Sequence, residues 1–400
     1  MKEKKIIVLE RIVMVMCVVL LFITGVFTAV FVYTENDKFF KEVNNSSKEN
    51  YPVSEKQMSL LGSLSKNETV NITAETAGAI SGNDYRVSLS GNIYYANTST
   101  GERSNKWVVL IHGFMMSGES MANAIGQVYL DYGYNILAPD LRGAGNSGGE
   151  TGMGFLESLD IWDWLTYLNT NYNVDEVIVH GLSLGGATTL QLWSQKDQGR
   201  DLESQHVVGL IDDCGYTSMT GIIQGLLGTV EGIDLLADVL NLVGVQSLYT
   251  LIGEDNIRNF LIDSVGVGLN SSNFAKNQDT FAAGRVFSNV PILVIHGTDD
   301  PIVPYSNSTT VINEANNRGL DATLWSVEGQ THAFIVAGIE KQEYRNHVVE
   351  FINKVSKNPP GNIETPSGGN NSTQNTLNQV VQLIDSLFNQ ILDTIKQFFS

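Results

Sequence analysis

Apolar and polar positions change their rhythm several times along this chain. Ile12 to Tyr33 is an apolar run without a charged residue. At about 1.5 Å per residue it is long enough to cross a hydrocarbon layer of about 30 Å. Thr34 to Asn67 is polar apart from a short apolar stretch near Met58 to Leu64, and residues 34–69 read as a stalk. From residue 70 onward, β-branched runs alternate with stretches of helical period. Arg86 to Leu89 and Ile93 to Ala96 read as strands about a turn at Ser90-Gly91. Trp107 to His112, Asn135 to Pro139, Glu176 to His180 and Val207 to Asp212 read as strands. Helices over Met121 to Tyr132, Phe155 to Tyr172 and Leu184 to Gln195 follow the first three. Such alternation predicts an α/β fold with a mainly parallel central sheet and helices on both faces. Trp162, Trp164 and Leu165 read as packing residues and not as a ligand box.

Residues 217–288 break this rhythm with apolar helical pieces at Ile222 to Leu227, Leu235 to Leu242 and Ile257 to Val265. Strands resume over Val290 to Ile295 and Thr323 to Val327. Residues 70–357 therefore form one large unit with an insertion. Residues 358–376, rich in Pro, Gly, Ser and Asn, read as a flexible linker. In residues 377–400, Leu377, Val381, Ile384, Phe388, Ile391, Ile395 and Phe398 recur every three or four positions, one face of an amphipathic helix. Its polar face carries a single lysine, Lys396. That makes it a poor binder of anionic membranes and a candidate for self-association or docking.

The net charge of −19 argues against nucleic acid or an anionic membrane surface as an electrostatic partner. Lys2, Lys4, Lys5 and Arg11 precede the first apolar run, so residues 1–33 are expected to anchor the chain with the remainder outside the cytoplasm. A cleaved signal, with secretion, is the competing reading. The cysteines, Cys17 and Cys214, are divided between that run and the large unit, so no disulfide can form within the external part. Cys214 reads as a small packed residue. Sequons such as Asn67-Glu68-Thr69 and Asn307-Ser308-Thr309 matter only where exported chains are glycosylated.

The densest chemistry lies at Val177-Ile178-Val179-His180-Gly181-Leu182-Ser183-Leu184-Gly185-Gly186, a strand running through Gly-x-Ser-x-Gly into a helix. A serine on such a sharp turn stands clear of the backbone, and a Cβ on a flanking glycine would clash there. A serine needs a base, and the base a carboxylate to orient it. Asp299-Asp300 follows one later strand, and His332 follows the next, in the order Ser, acid, His. Asp300 is favoured as the acid, with Asp299 as the fallback. The backbone N–H groups of Phe114, after the strand ending in His112-Gly113, and of Leu184 are assigned to an oxyanion hole. His112, His180 and His296, each before a glycine at a strand end, read as structural, bonded to nearby backbone. His206 and His347 read as ordinary. The glycine-rich Gly143-Ala144-Gly145 loop lacks a full dinucleotide fingerprint, and neither metal cluster nor phosphate loop is evident, so no cofactor is expected.

These pieces together resemble the α/β-hydrolase superfamily: His112-Gly113-Phe114, Asp140-Leu141-Arg142-Gly143-Ala144-Gly145-Asn146-Ser147, Gly181-Leu182-Ser183-Leu184-Gly185, His296-Gly297-Thr298-Asp299-Asp300 and His332. The resemblance spans roughly Val70 to Val355. Asp213-Cys214-Gly215-Tyr216-Thr217-Ser218 looks like that of bacterial cell-surface members. It implies that Asp300, three residues after Gly297, is the acid, and that residues 217–288 form a cap over the serine. The chain departs from the family at Ala144 and Leu182, where histidine, or histidine or tyrosine, often stands.

The expectation is a membrane-anchored, extracytoplasmic serine hydrolase cleaving carboxylic esters of small molecules through an acyl-enzyme. Peptide or amide hydrolysis on the same triad is one alternative. A non-catalytic surface module assembling through its C-terminal helix is the other.

Overall fold

The computed structural model describes residues 64–80, 85–97, 101–114, 116–218, 279–300, 302–333 and 341–358. The apolar run from Ile12, most of the stalk, the interior of the 217–288 insertion, nearly all of the linker and the C-terminal amphipathic stretch lie outside them. Among the described residues no helix is long and apolar enough to cross a membrane.

An eight-stranded sheet organises the described part, in the order β1-β2-β4-β3-β5-β6-β7-β8. Its strands are β1 (Glu68–Thr73), β2 (Ser88–Tyr94), β3 (Lys106–Ile111), β4 (Asn135–Pro139), β5 (Glu176–Leu182), β6 (Val207–Asp213), β7 (Ile292–Gly297) and β8 (Ala322–Val327). Strands β1, β2 and β4 pair antiparallel, and every other pairing is parallel. The α/β fold class expected from the alternation is the one observed. The helices are α1 (Glu75–Gly78), α2 (Gly118–Asp131), α3 (Phe155–Asn171), α4 (Leu184–Trp193), α5 (Ser306–Arg318) and α6 (Lys341–Val355).

The parallel strands are buried on both faces and so are apolar throughout. In β3, Trp107, Val109 and Ile111 face the core shared with α3, α4 and α5, while Val108 and Leu110 face the core shared with α2 and α6. Each such fully buried Val, Leu or Ile contributes about 1.5–3 kcal/mol relative to exposure. Strand order reverses at β3, which has β4 on one side and β5 on the other. The chain leaves the C-terminal ends of β3 and β5 in opposite directions, which opens a crevice between their loops.

Two elements differ from the sequence expectation. The turn expected at Ser90-Gly91 is the interior of β2, one continuous strand. Gly91 is there for close approach, since a Cβ on it would lie 3.1 Å from the Trp164 ring. β1 begins at Glu68, so the sheet takes in two residues read as stalk, and Leu64 just before it is already held by its N–H on Asn123 Oδ1 at 2.8 Å.

The loop after β4 packs around its own charges. Asp140 accepts from the Gly118 and Asn146 N–H groups, and Arg142 makes a two-pronged buried pair with Asp160 on α3 at 2.6 and 2.7 Å. A Cβ on Gly145 would lie 2.3 Å from the Asp140 carboxylate. Gly145 thus serves close packing against Asp140, while a Cβ on Gly143 would meet the backbone of Thr151 and Glu150. The sequon at Asn307 is closed as well. Asn307 is buried, donates to Pro304 O and accepts from Thr217.

Candidate active site

The turn between β5 and α4 carries Ser183 at φ 56° and ψ −112°, a strained conformation for a residue with a side chain. Both flanking glycines are sterically required. A Cβ on Gly181 would lie 1.9 Å from Gly185 O, and one on Gly185 would lie 2.2 Å from Ile111 O. The Ser183 N–H donates to Asp213 O at 2.7 Å, which fastens the turn to the end of β6.

The Ser183 hydroxyl meets His332 Nε2 at 2.8 Å, and His332 Nδ1 meets Asp300 Oδ2 at 2.6 Å. A carboxylate only accepts, so His332 Nδ1 carries its proton toward Asp300 and Nε2 faces the hydroxyl as acceptor. Residues 149 and 32 positions apart in sequence thus form one continuous chain of hydrogen bonds. Asp300 is buried at the centre of four donors. The Ile302 and Val303 N–H groups bond Oδ1 at 2.8 and 2.9 Å, and both His332 and His296 reach Oδ2. Burial alone would push its carboxyl up, but His332 and His296 beside it hold it well below the ordinary carboxylate range. Asp299 is exposed, and its side chain accepts only from its neighbour Thr298, at 3.2 Å. The carboxylate on His332 is therefore that of Asp300.

His296 was read as bonded to nearby backbone, and it does more. Its Nε2 lies 2.9 Å from Val303 O and 3.1 Å from Asp300 Oδ2, while Nδ1 faces Ser308 Oγ on α5 at 2.5 Å. Burial lowers its basicity, yet the Asp300 carboxylate more than compensates and raises it above the ordinary histidine value. The signal in the sequence was the four-residue spacing of His296 and Asp300 across one strand-to-loop turn. His180 also departs from the reading, since it bonds the hydroxyls of Tyr129 and Tyr344 at 2.7 and 3.0 Å rather than backbone. His112 bonds backbone at both ring nitrogens, Gly113 O at 2.7 Å and the Leu141 N–H at 2.9 Å.

Leu184 is the first residue of α4, so its N–H has no carbonyl to meet within the helix. The turn after β3 abuts the serine, because a Cβ on Gly113 would stand 3.4 Å from Ser183 Cβ. Phe114 follows directly, and its side chain is 43% exposed rather than part of the core. Left-handed residues gather here: Ser183, Cys214 just after β6, and Ala333 just after His332. The ends flanking residues 219–278 also meet near the site, where Thr280 N–H donates to Thr217 O at 3.0 Å, three residues beyond Cys214.

One set of ligating side chains lies close enough to consider for a metal among the described residues: Cys214, Asp300 and His332. Asp300 and His332 are already bonded to each other, and burial first, then nearby carboxylates, push the Cys214 thiol well up, so it offers no thiolate. The set fits the hydrogen-bonded chain and not a metal centre.

Residues 106–215 match the family described as the alpha/beta hydrolase fold. The chain belongs to the α/β-hydrolase superfamily. Residues 248–359 of this α/β-hydrolase match a second family, described as the prolyl oligopeptidase family. Among curated proteins it is 27% identical over 254 residues to a multifunctional-autoprocessing repeats-in-toxin protein of Vibrio cholerae, covering 58% of this chain. It is 34% identical over 156 residues to the protein of that name in Vibrio vulnificus, covering 36% of this chain. The matches span 5% and 3% of those much longer relatives. Among solved structures, an α/β-hydrolase of Vibrio vulnificus has 19% identity and a TM-score of 0.48, covering 79% of this chain and 92% of that one. An esterase of Pyrococcus furiosus has 20% identity and a TM-score of 0.47, covering 76% and 94%.

Proposed function

We propose that this α/β-hydrolase is a serine hydrolase that cleaves carboxylic esters through an acyl-enzyme. The observation that carries the reading is the unbroken chain from Ser183 Oγ through His332 to Asp300. In this reading Ser183 Oγ attacks the ester carbonyl carbon as His332 Nε2 takes its proton. Asp300 holds the ring and supports the imidazolium. The N–H groups of Phe114 and Leu184 receive the oxyanion. His332 then protonates the departing alkoxide, and a water activated by the same nitrogen releases the acid. Ester is preferred over amide as the easier acyl transfer, and the exposed side chain of Phe114, the residue after Gly113, would offer an apolar contact to the substrate.

Hydrolysis of p-nitrophenyl esters of rising chain length by the full-length protein, with Ser183→Ala as control, tests this. Turnover that disappears in the variant supports the reading, and none above the variant at any length rejects it. The match of residues 248–359 to the prolyl oligopeptidase family favours a second reading, amide or peptide hydrolysis on the same residues. Cleavage of aminoacyl-naphthylamides without cleavage of simple esters would put it first. The charge-free run Ile12 to Tyr33 behind a basic N-terminus supports membrane anchoring with the hydrolase outside the cytoplasm. Protease accessibility of the large unit on intact cells checks that placement.

A further inference from the structure

Residues 302–304, just beyond Asp300, lead into α5, and two consecutive residues of that helix, Asn307 and Ser308, reach back toward the acid. Asn307 donates to Pro304 O twice, from its main-chain N–H and from Nδ2, both at 2.9 Å. Its Oδ1 accepts from the N–H and from the hydroxyl of Thr217, both at 3.1 Å. The start of α5 is thus fastened to the acid loop on one side and to the chain beyond β6 on the other. Ser308, fully buried beside it, has its hydroxyl 2.5 Å from His296 Nδ1.

The hydrogens of this ring follow from its partners. His296 Nε2 faces only acceptors, Val303 O at 2.9 Å and Asp300 Oδ2 at 3.1 Å, so Nε2 carries a hydrogen and donates. Ser308 then decides what Nδ1 does. Beside a neutral ring the hydroxyl donates to Nδ1, which keeps the single ring hydrogen on Nε2. Beside a charged ring the same oxygen accepts from Nδ1. One hydroxyl serves both states of the ring, so the donor toward Asp300 persists in each. An alanine serves neither and leaves a buried nitrogen without a partner.

That donor bears on the reaction. Asp300 Oδ1 is held by the Ile302 and Val303 N–H groups, and Oδ2 by His296 and His332. In the acyl-enzyme mechanism His332 gains and loses charge at every turnover. With His296 also on Oδ2, the carboxylate plane is fixed by groups that take no part in the proton transfers. Without His296, Oδ2 is held by the reacting imidazole alone and shifts with it.

We propose that Ser308 is a positioning residue for the acid of this site: it keeps a hydrogen of His296 on Nε2, and His296 holds Asp300 Oδ2 in line with His332 Nδ1. The inference rests on the reading of Ser183, His332 and Asp300 as nucleophile, base and acid. Ser308 stands three hydrogen bonds from His332, through His296 and Asp300, so it acts on kcat and leaves KM alone.

The test is steady-state hydrolysis of p-nitrophenyl butyrate by the full-length protein, with active serines counted by fluorophosphonate labelling and melting temperatures measured alongside. In Ser308→Ala, kcat per labelled serine falls by about tenfold, with KM within about twofold of the wild type. His296→Gln is the second variant and decides the matter if Ser308→Ala does not fold. Its amide oxygen accepts from Ser308 and its amide nitrogen donates to Asp300, so kcat falls by no more than about threefold, against about 10- to 100-fold for His296→Phe. A merely structural role for the buried pair predicts lower melting temperatures with kcat per labelled serine unchanged, and that result overturns the proposal. Equal losses in His296→Gln and His296→Phe overturn it as well, because a donor to Asp300 is then not what the ring supplies. A wild type that neither takes the label nor turns over the ester removes the serine-hydrolase reading, and this inference with it. A labelled and active wild type beside an unchanged Ser308→Ala refutes this inference alone.

Discussion

Asp300→Asn separates orientation from mere polarity. The two Asp300 oxygens face different donors: Oδ1 takes the Ile302 and Val303 N–H groups, and Oδ2 takes the imidazoles of His296 and His332. An asparagine keeps its oxygen toward the two backbone N–H groups, because turning the amide would set its NH₂ against both. The amide nitrogen must then occupy the place of Oδ2, where it is a donor facing the His332 Nδ1 proton. His332 relieves that conflict by moving its proton to Nε2, the nitrogen that has to accept from Ser183. The wrong tautomer costs about 10⁴ in kcat, roughly 5.5 kcal/mol of barrier, with KM little changed. The lost charge-assisted bonds also lower stability by about 1.5–3 kcal/mol. Asp299→Asn is the control, since Asp299 touches neither histidine, and it keeps wild-type rates. Steady-state hydrolysis of p-nitrophenyl butyrate and urea denaturation of both variants check these figures. Asp300→Asn retaining a tenth of the wild-type kcat, or Asp299→Asn falling as far, would refute the argument.

Other consequences are smaller. His296→Phe removes the second imidazole donor from Asp300 Oδ2 and leaves Ser308 without its ring partner, so kcat falls by about 10- to 100-fold, by analogy with the loss of an outer-shell partner, while active-site titration still counts one serine per chain. Gly185→Ala, whose Cβ would lie 2.2 Å from Ile111 O, destabilises by at least about 3 kcal/mol in thermal denaturation. Gly319→Ala, with φ +67° and open space around it, costs only about 1–2 kcal/mol of backbone strain. Burial pushes the Asp212 carboxyl up from the ordinary carboxylate range to about 7. The native state then holds a proton that the unfolded chain has released, so stability falls as pH rises through that window. Asp212→Asn flattens the decline, and melting temperatures of the variant measured across the window as steep as the wild type's would contradict it.

The elbow was legible because its requirements are local: an apolar strand, two glycines and a helix start fall within a dozen consecutive positions. The parallel strands were legible for the same reason, since burial on both faces leaves them uniformly apolar. Polar elements were harder to see. β1 alternates Val70 and Ile72 with Thr and Asn as a half-covered edge strand. α5 is largely Ser, Thr and Asn, and of its apolar residues only Val311 and Ala315 are fully buried. Gly91 looked like a turn because the Trp164 ring that it accommodates is far away in sequence. The same distance hid the company of His180, whose partners Tyr129 and Tyr344 come from helices on either side of it in the chain. The Ser–acid–His order was readable, but the choice between adjacent aspartates depended on which one turns inward after β7.

The hydrogen bond from Thr280 to Thr217 joins the two described ends that flank residues 219–278. The strands that lead to Ser183, Asp300 and His332 pair with one another through β6 and β7, outside that interval. The spacing of the three groups is therefore set by the sheet and not by the number of residues between Thr217 and Thr280. Evolution can lengthen or shorten that interval while the serine, the acid and the histidine keep their places.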